Sequence, residues 1–487
     1  MPRCGEILRV ELNPVRHLQC FRMGITRWKR AWRLPGGISL CVFGLVPLAM
    51  AGCDAVSRVP GAGDTETVLE VAIFKGGYGI EWHTKVADQF NRDHADQGIR
   101  IELWGDPRTA DIIKPRLLRR DPPDLILDER LPLWLLIGAD KLVPFNEALA
   151  LPAPGSDEPW ETHFAPGMLD MFRSGEEVYA IPAAYGAWTC WYDAKQFRDH
   201  GWEPPNTWAE FDALCTSIRA AGIEPIALQG KYASFYAWHT FVALIQRVGG
   251  VEAINRINAL EAGAFSHPDA LRAAKLYQDL IVDHGQRGAM AMTHTESQLQ
   301  YVNGKAAMIF CGMWLENEMK DSMPPGFEMR CFSIPSVEGG KGNSAMLPGQ
   351  GMEYLFVPVD GRHHEIAFKF ASYLVSPKYA ADMGRSIGVI SPLQDATPRD
   401  AITAALGSVL DVINDSAGIF SIRVRDLLPE WRAQVMHVAI SELCRGEITP
   451  EEFGRVLDEG IAAAVANPDV IKPPFVALDP AQYGEPR

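Results

Sequence analysis

Few side chains in this 487-residue sequence are spaced for bond-making chemistry, and those few read better as something else. Glu316 and Glu318 come nearest to a catalytic carboxylate pair. Two apart at a helix start, they point in different directions and favour the helix dipole over glycosidic cleavage. His363 and His364 also point apart, with no third ligand at coordinating spacing, which suits an exposed helix start better than a metal site. The sequence has no GxSxG, no HExxH and no Cys/His pairing of persuasive spacing, so no catalytic residue, metal or cofactor is expected. Recognition chemistry is better supplied. Tyr232, Phe235, Tyr236 and Trp238 crowd just past a strand at residues 225–229, and flat aromatic faces stack on the C–H faces of pyranose rings. Some of the four must be core, and about half is the expected share. Asp128 or Glu129, past another apolar strand, can accept hydrogen bonds from sugar hydroxyls or stand as a solvated loop acid.

The elements that must position these groups alternate between strand and helix. Residues 68–74 form a hydrophobic strand, then Lys75-Gly76-Gly77-Tyr78-Gly79, then a helix with Trp82, Val86 and Phe90 at spacing four. Loops at the carboxyl ends of strands line the cleft of a doubly wound sheet, so this loop can bring backbone close to a ligand. Tyr78 or Trp82 would then be a stacking surface, although Trp82 serves equally well as core of its own helix. Phosphate binding lacks both the Gly-Lys-Ser/Thr ending and the GxGxxG spacing. Residues 99–103 read as a second strand. Further on, a strand stops at Pro182, passes through Ala183-Ala184-Tyr185-Gly186 and resumes over residues 187–192. Such a passage either joins two lobes, leaving Tyr185 and Trp188 near the mouth between them, or loops within one sheet. Thr207 and Glu210 then form a capping box, with Phe211, Leu214 and Ile218 on the buried face of the helix that follows.

Several of these segments carry a resemblance. Tyr179-Ala180-Ile181-Pro182, Trp191-Tyr192-Asp193-Ala194-Lys195-Gln196-Phe197 and Pro205-Asn206-Thr207-Trp208-Ala209-Glu210-Phe211 occur in order, and Gly304-Lys305-Ala306-Ala307-Met308 leads to Gly312-Met313-Trp314. Together they resemble the solute-binding proteins of bacterial carbohydrate ABC transporters. The resemblance implies an α/β, two-lobe periplasmic-binding-protein (type II) fold with three crossovers. Lobe 1 would hold residues 68–182 and 334–387, and lobe 2 residues 183–333 and 388–470, with a tail over 471–487. It implies a monomeric receptor rather than an enzyme, one that closes on a carbohydrate and presents it to permease subunits. From the family's pattern, Tyr232 and Trp238 are the sugar contacts of the aromatic cluster, Trp314 stacks on ligand, and Gln350 and Glu353 supply polar contacts. Residues 74–79 with 314–320 look like the branch that binds N-acetylglucosamine and N,N′-diacetylchitobiose. The rivals are a secreted glycoside hydrolase acting on chito-oligosaccharides and a binding protein for a non-sugar ligand such as ferric ion or a polyamine. The last would need a tyrosine/histidine cluster or an acidic cleft with few aromatics.

The amino terminus reads as a targeting segment. Arg27, Lys29, Arg30 and Arg33 precede an apolar run at 38–51, too short for a membrane span of ~20 residues, so residues 1–52 are expected to be an export signal with Met23 as an alternative start. Leu48-Ala49-Met50-Ala51-Gly52-Cys53 resembles a lipobox, departing from it at Met50, which makes Cys53 the expected site of a lipid anchor. Ordinary cleavage leaving a free cysteine is the alternative. Residues 53–67 then form a tether. The chain carries a net charge of −15, and its basic excess lies in the leading segment, so the remainder repels phosphate backbones and nucleic acid is not an expected partner. Cys190, Cys215, Cys311, Cys331 and Cys444 are widely spread, which indicates neither a zinc site nor a dense disulfide framework and leaves one disulfide open.

Overall fold

The computed structural model describes residues 66–349, 353–468, 470 and 472–483; the expected export signal, Cys53 and Gln350 lie outside that set. Two separate sheets organise the described chain. The first is built from β1 (Thr67–Phe74), β2 (Ile99–Asp106), β3 (Leu125–Leu127) and β4 (Leu142–Val143). After the hairpin β5 (Arg173–Ser174) and β6 (Glu177–Val178), β7 (Ile181–Pro182) joins the same sheet. The second comprises β8 (Thr189–Asp193), β9 (Glu224–Ala227), β10 (Ala306–Cys311) and β11 (Met329–Phe332), in the order β11-β8-β10-β9. β12 (Met346–Pro348) then leads to β13 (Tyr354–Pro358), which returns to the first sheet, antiparallel to β3, β4 and β7. β14 (Gly418–Phe420) pairs in parallel with β12.

Sequence explains much of this locally. β1 is buried at Leu69, Val71, Ala72 and Ile73 because β2 and β3 flank it in parallel, and the helix Glu81–Asp93 turns Trp82, Val86, Ala87 and Phe90 inward. β10 is buried at all six positions, as a central strand must be. At helix Trp208–Ala220 the Thr207 hydroxyl accepts from the Glu210 N–H at 3.2 Å, and the Glu210 carboxylate reaches back to the Thr207 N–H. Thr207→Ala should therefore lower stability by about 1 kcal/mol in urea unfolding, while a change below ~0.3 kcal/mol would mean that water replaces the cap at no cost.

The chain leaves the first sheet after β7, returns to it between β11 and β13, and leaves again after helix Pro377–Ile387. These three connections are laced together. The Ala183 N–H donates to the Glu353 carbonyl and the Tyr185 N–H to the Ile390 carbonyl, both at 2.8 Å, and the Trp188 N–H donates to the Pro348 carbonyl at 3.0 Å. The long helix Tyr236–Asn258 supports them from the second sheet's side. It is bent at Gly250, where φ of 68° and ψ of −162° interrupt the helical ladder, a conformation open to glycine. The carbonyls of Arg247 and Val248 are met by the N–H groups of Gly342 and Lys341, which belong to the second connection.

All five described cysteines are buried free thiols, placed on β8, β10, β11 and on helices Trp208–Ala220 and His437–Cys444. The option of one disulfide among them is thus not taken up. Among the described residues no helix is long and apolar enough to cross a membrane.

Candidate functional site

A cavity of about 770 Å³ is lined by loops from both sheets. Its floor on the first sheet's side comes from the ends of β1 and β3 and the start of β13. The end of β1 contributes Phe74 and the turn after it Gly77 and Tyr78; the segment after β3 contributes Glu129 and Arg130; Glu353 precedes β13 and Tyr354 opens it. Across from them, Phe235 and Tyr236 follow β9, and Trp314 and Glu318 follow β10. Strand ends deliver all of these groups, as expected where helices and strands alternate about a sheet.

The aromatic wall is layered. Trp314 lies 6.0 Å from Phe235 and 6.1 Å from Trp188, centroid to centroid, and Phe235 lies 5.1 Å from Tyr236. Gly312 explains the placement of Trp314: a Cβ there would stand 2.0 Å from the indole, so the ring folds back over bare backbone. Trp188 is fully buried behind the wall, its indole N–H donating to the Thr240 hydroxyl at 3.0 Å. The guanidinium of Arg425 lies 5.2 Å from the Phe235 ring, and its Nε pairs with Asp426.

The opposite face is acidic. Asp128, the residue after β3, has no exposed surface and grips Arg130 through both oxygens, at 2.9 and 2.7 Å, laying the guanidinium 3.6 Å from the Phe74 ring centroid. Desolvation, then repulsion from Asp128, pushes the Glu129 carboxyl up to about 7. Glu353 is pushed well above the usual carboxylate range by burial and then by Glu129. Burial also raises Glu318, against the opposing hydrogen bond from Gln298 at 2.7 Å, and raises Tyr78. Because the Glu129 value lies above its unfolded value, its contribution to stability is complete below pH 4.5 and lost as pH rises through about 7. The ligand-free protein should therefore be less stable at neutral than at mildly acidic pH, by up to about 3 kcal/mol in urea unfolding, and Glu129→Gln should flatten that slope. An unchanged slope in the variant would assign the effect elsewhere.

Of the residues expected at a site, Tyr78, Trp314 and Glu353 line the cavity. Others are placed differently. Asp128 faces Arg130, because the ion pair satisfies both of its oxygens, and so acts behind the wall. Trp238 is core, packed 5.7 Å from Phe241, 5.8 Å from Phe265 and 6.0 Å from Trp431, since the helix that begins at Tyr236 turns it inward. Tyr232 is exposed outside the cavity, its ring 5.5 Å from His294. Tyr185 is buried in the first connection. Trp82 donates to Asp382 at 2.9 Å and lines a neighbouring pocket of about 400 Å³ that shares Gly77 and Tyr78 with the main cavity. Glu316 accepts from the Thr403 hydroxyl and Glu318 from Gln298, so each is held by a side chain from elsewhere in the chain; the helix that carries them, Leu315–Met319, has only five residues. Sequence reasoning did not single out Arg130, Trp134, Arg423 or Arg425, which have no local motif.

Comparison with known proteins places this arrangement. The chain is 24% identical over 350 residues to the diacetylchitobiose binding protein of Streptomyces coelicolor, covering 70% of this chain and 72% of that one. It is 22% identical to a multiple sugar-binding protein of Streptococcus mutans, covering 60% and 68%. A solved structure titled as a chitin oligosaccharide binding protein superposes with a TM-score of 0.67 at 19% identity, over 82% of this chain and all of that one, which shows the shared type II two-lobe fold. Residues 77–381 match the bacterial extracellular solute-binding proteins, and the chain belongs to that family of transporter-associated receptors.

Proposed function

We propose that this protein is a receptor for a chitin-derived mono- or oligosaccharide, presenting it to the permease of an ABC transporter. One observation carries the reading: an aromatic wall of Trp314, Phe235 and Tyr236 faces buried carboxyls across a cavity of about 770 Å³. That is a volume typical of small-molecule sites, and the pairing of flat faces with hydrogen-bond acceptors is what a pyranose presents chemistry for. The similarity to a diacetylchitobiose binding protein supports the choice of sugar. Trp314, Tyr78 and Glu353 would touch ligand, with Trp188 and Asp128 holding the wall from behind. The lobes would divide at residues 182/183, 333/334 and 387/388, near the laced connections, and close on the sugar by population shift. Binding without catalysis is part of the proposal.

Titration calorimetry with N-acetylglucosamine, diacetylchitobiose, maltose and xylobiose, each mixture then checked for cleavage, tests it. Tight binding of diacetylchitobiose, recovered intact, is the expected result. Cleavage would replace the reading with a hydrolase, and silence with all four would replace the sugar with another ligand class. Anchoring through a lipid on Cys53, with the stretch from Asp54 up to β1 as tether, is proposed from the sequence pattern; the tether expected to run to Thr67 stops short of it, because Thr67 pairs with Ile99 as the first residue of β1. A Cys53→Ser variant that stays in the membrane fraction would overturn it.

A further inference from the structure

The register of the first sheet makes two carboxyls neighbours. Leu355 pairs with Leu127 in the antiparallel ladder of β13 and β3, which brings Glu353, just before β13, and Glu129, just after β3, to the same end of the sheet, close enough that Glu129 raises the Glu353 carboxyl. Both line the cavity. Glu353 is 9% exposed, its carbonyl is held by the Ala183 N–H, and among the described residues nothing hydrogen-bonds its carboxyl. Glu129 Oε2 is sealed from solvent with no partner, while the Glu129 carbonyl is fixed by the Tyr354 hydroxyl at 3.2 Å. Glu318 lies near enough that all three carboxyls act on the Tyr78 hydroxyl.

Buried carboxylates are costly unless protonated or paired, and the chain itself supplies little pairing here. Arg130 acts on both acids from a distance, but the carboxylate it hydrogen-bonds is Asp128, and Lys114, which also lines the cavity, lies 3.9 Å from Asp111. His294 acts on Glu318, whose Oε2 already accepts from Gln298. The cavity's other arginines belong to the segment after β14. Arg423 is taken up by the carbonyls of Asn258, Pro473 and Pro474, and Arg425 and Arg432 share Asp426. A bare metal ion is not the missing partner, since no group of three or more His, Cys, Asp or Glu among the described residues could hold one. What fits two unsatisfied acceptors beside an aromatic wall is a polyatomic cation with several N–H donors, attached to a ring that stacks.

We propose that Glu353 and Glu129, with Glu318 beyond Tyr78, form a seat for the free 2-amino group of a glucosamine unit, so that the preferred ligand is a deacetylated or partly deacetylated chito-oligosaccharide. The inference rests on the sugar-receptor reading and narrows it. An ammonium brings one charge and three donors to the acids, whereas acetylation leaves one donor, removes the charge and adds a carbonyl that faces carboxyls.

The test is calorimetry of the purified protein at neutral pH with two β-1,4-linked dimers, one of glucosamine and one of N-acetylglucosamine, and with spermidine. The glucosamine dimer should bind about tenfold or more tighter than the diacetylated one. In Glu353→Gln and Glu129→Gln, which keep shape and lose charge, that ratio should collapse toward unity while both variants melt no lower than the parent. A diacetylated dimer that binds as well or better in the parent overturns the amine seat and leaves the sugar receptor standing. So does a ratio that the two variants leave intact. Spermidine bound with neither dimer bound, or no binding at all, overturns the amine seat together with the chitin-sugar reading.

Discussion

Replacing Arg247 by methionine should lower the free energy of unfolding by about 4 kcal/mol, the largest single-residue effect expected outside the apolar core. Arg247 is 1% exposed and has no carboxylate among its hydrogen-bond partners. Its Nε donates to the Ile334 carbonyl and its Nη1 to the Met346 carbonyl, both at 3.0 Å, and Nη2 reaches the Ser333 hydroxyl at 3.4 Å. Burial lowers its pKa to about 9, so the guanidinium remains charged at neutral pH, solvated by main-chain oxygens instead of water. Methionine preserves most of the volume and removes a costly charge, yet it leaves at least two carbonyls of the second connection without donors, at about 1–3 kcal/mol each. Urea unfolding measures the difference. A loss under ~1 kcal/mol would show that the connection finds other donors and that the arginine is not what holds it.

Trp314→Ala should weaken binding of the chitin-type dimer about a hundredfold, close to 2.7 kcal/mol, within the range of aromatic anchors at well-packed sites. The ring is half-buried and forms the cavity face of an aromatic cluster in which the tilted Trp188 ring lies behind it. Truncation removes the stacking area but leaves the fully buried Trp188 and its bond to Thr240 in place, so the melting temperature should change little beside the affinity. Calorimetry checks both dimers and the parent together. A loss below about threefold would mean that Phe235 and Tyr236 carry the stacking without it.

What could be read in advance was whatever is local in the chain. The strand at β1 and the capping box at Thr207 and Glu210 depend on neighbours within a few residues, and each stands where its residues imply. The aromatic cluster shows where locality fails. A helix begins at Tyr236 instead of a loop running on to Trp238, and at about 100° per residue this turns Trp238 into the core while Phe235 and Tyr236 stay on the cavity wall. Asp128 and Glu129 differ for the same kind of reason, since adjacent residues at a strand end face opposite ways and only one can look into the cavity. The meeting of Glu129 with Glu353 had no signal at all, because the register between β3 and β13 is set by packing across more than two hundred residues.

The five buried thiols make the protein its own unfolding clock. Among the described residues they are the only cysteines, and they all sit on the second sheet and the helices of its half, with none on the first sheet. Burial pushes Cys331 and Cys444 up to about 12 and Cys190 and Cys311 well beyond the ordinary thiol range, so in the native state none of these four offers a thiolate to a labelling reagent. Reaction has to wait for that sheet to open, and its rate at saturating reagent is the opening rate of one half of the molecule alone. Set beside the melting of the whole chain, that rate says whether the two sheets come apart in one cooperative step or in sequence.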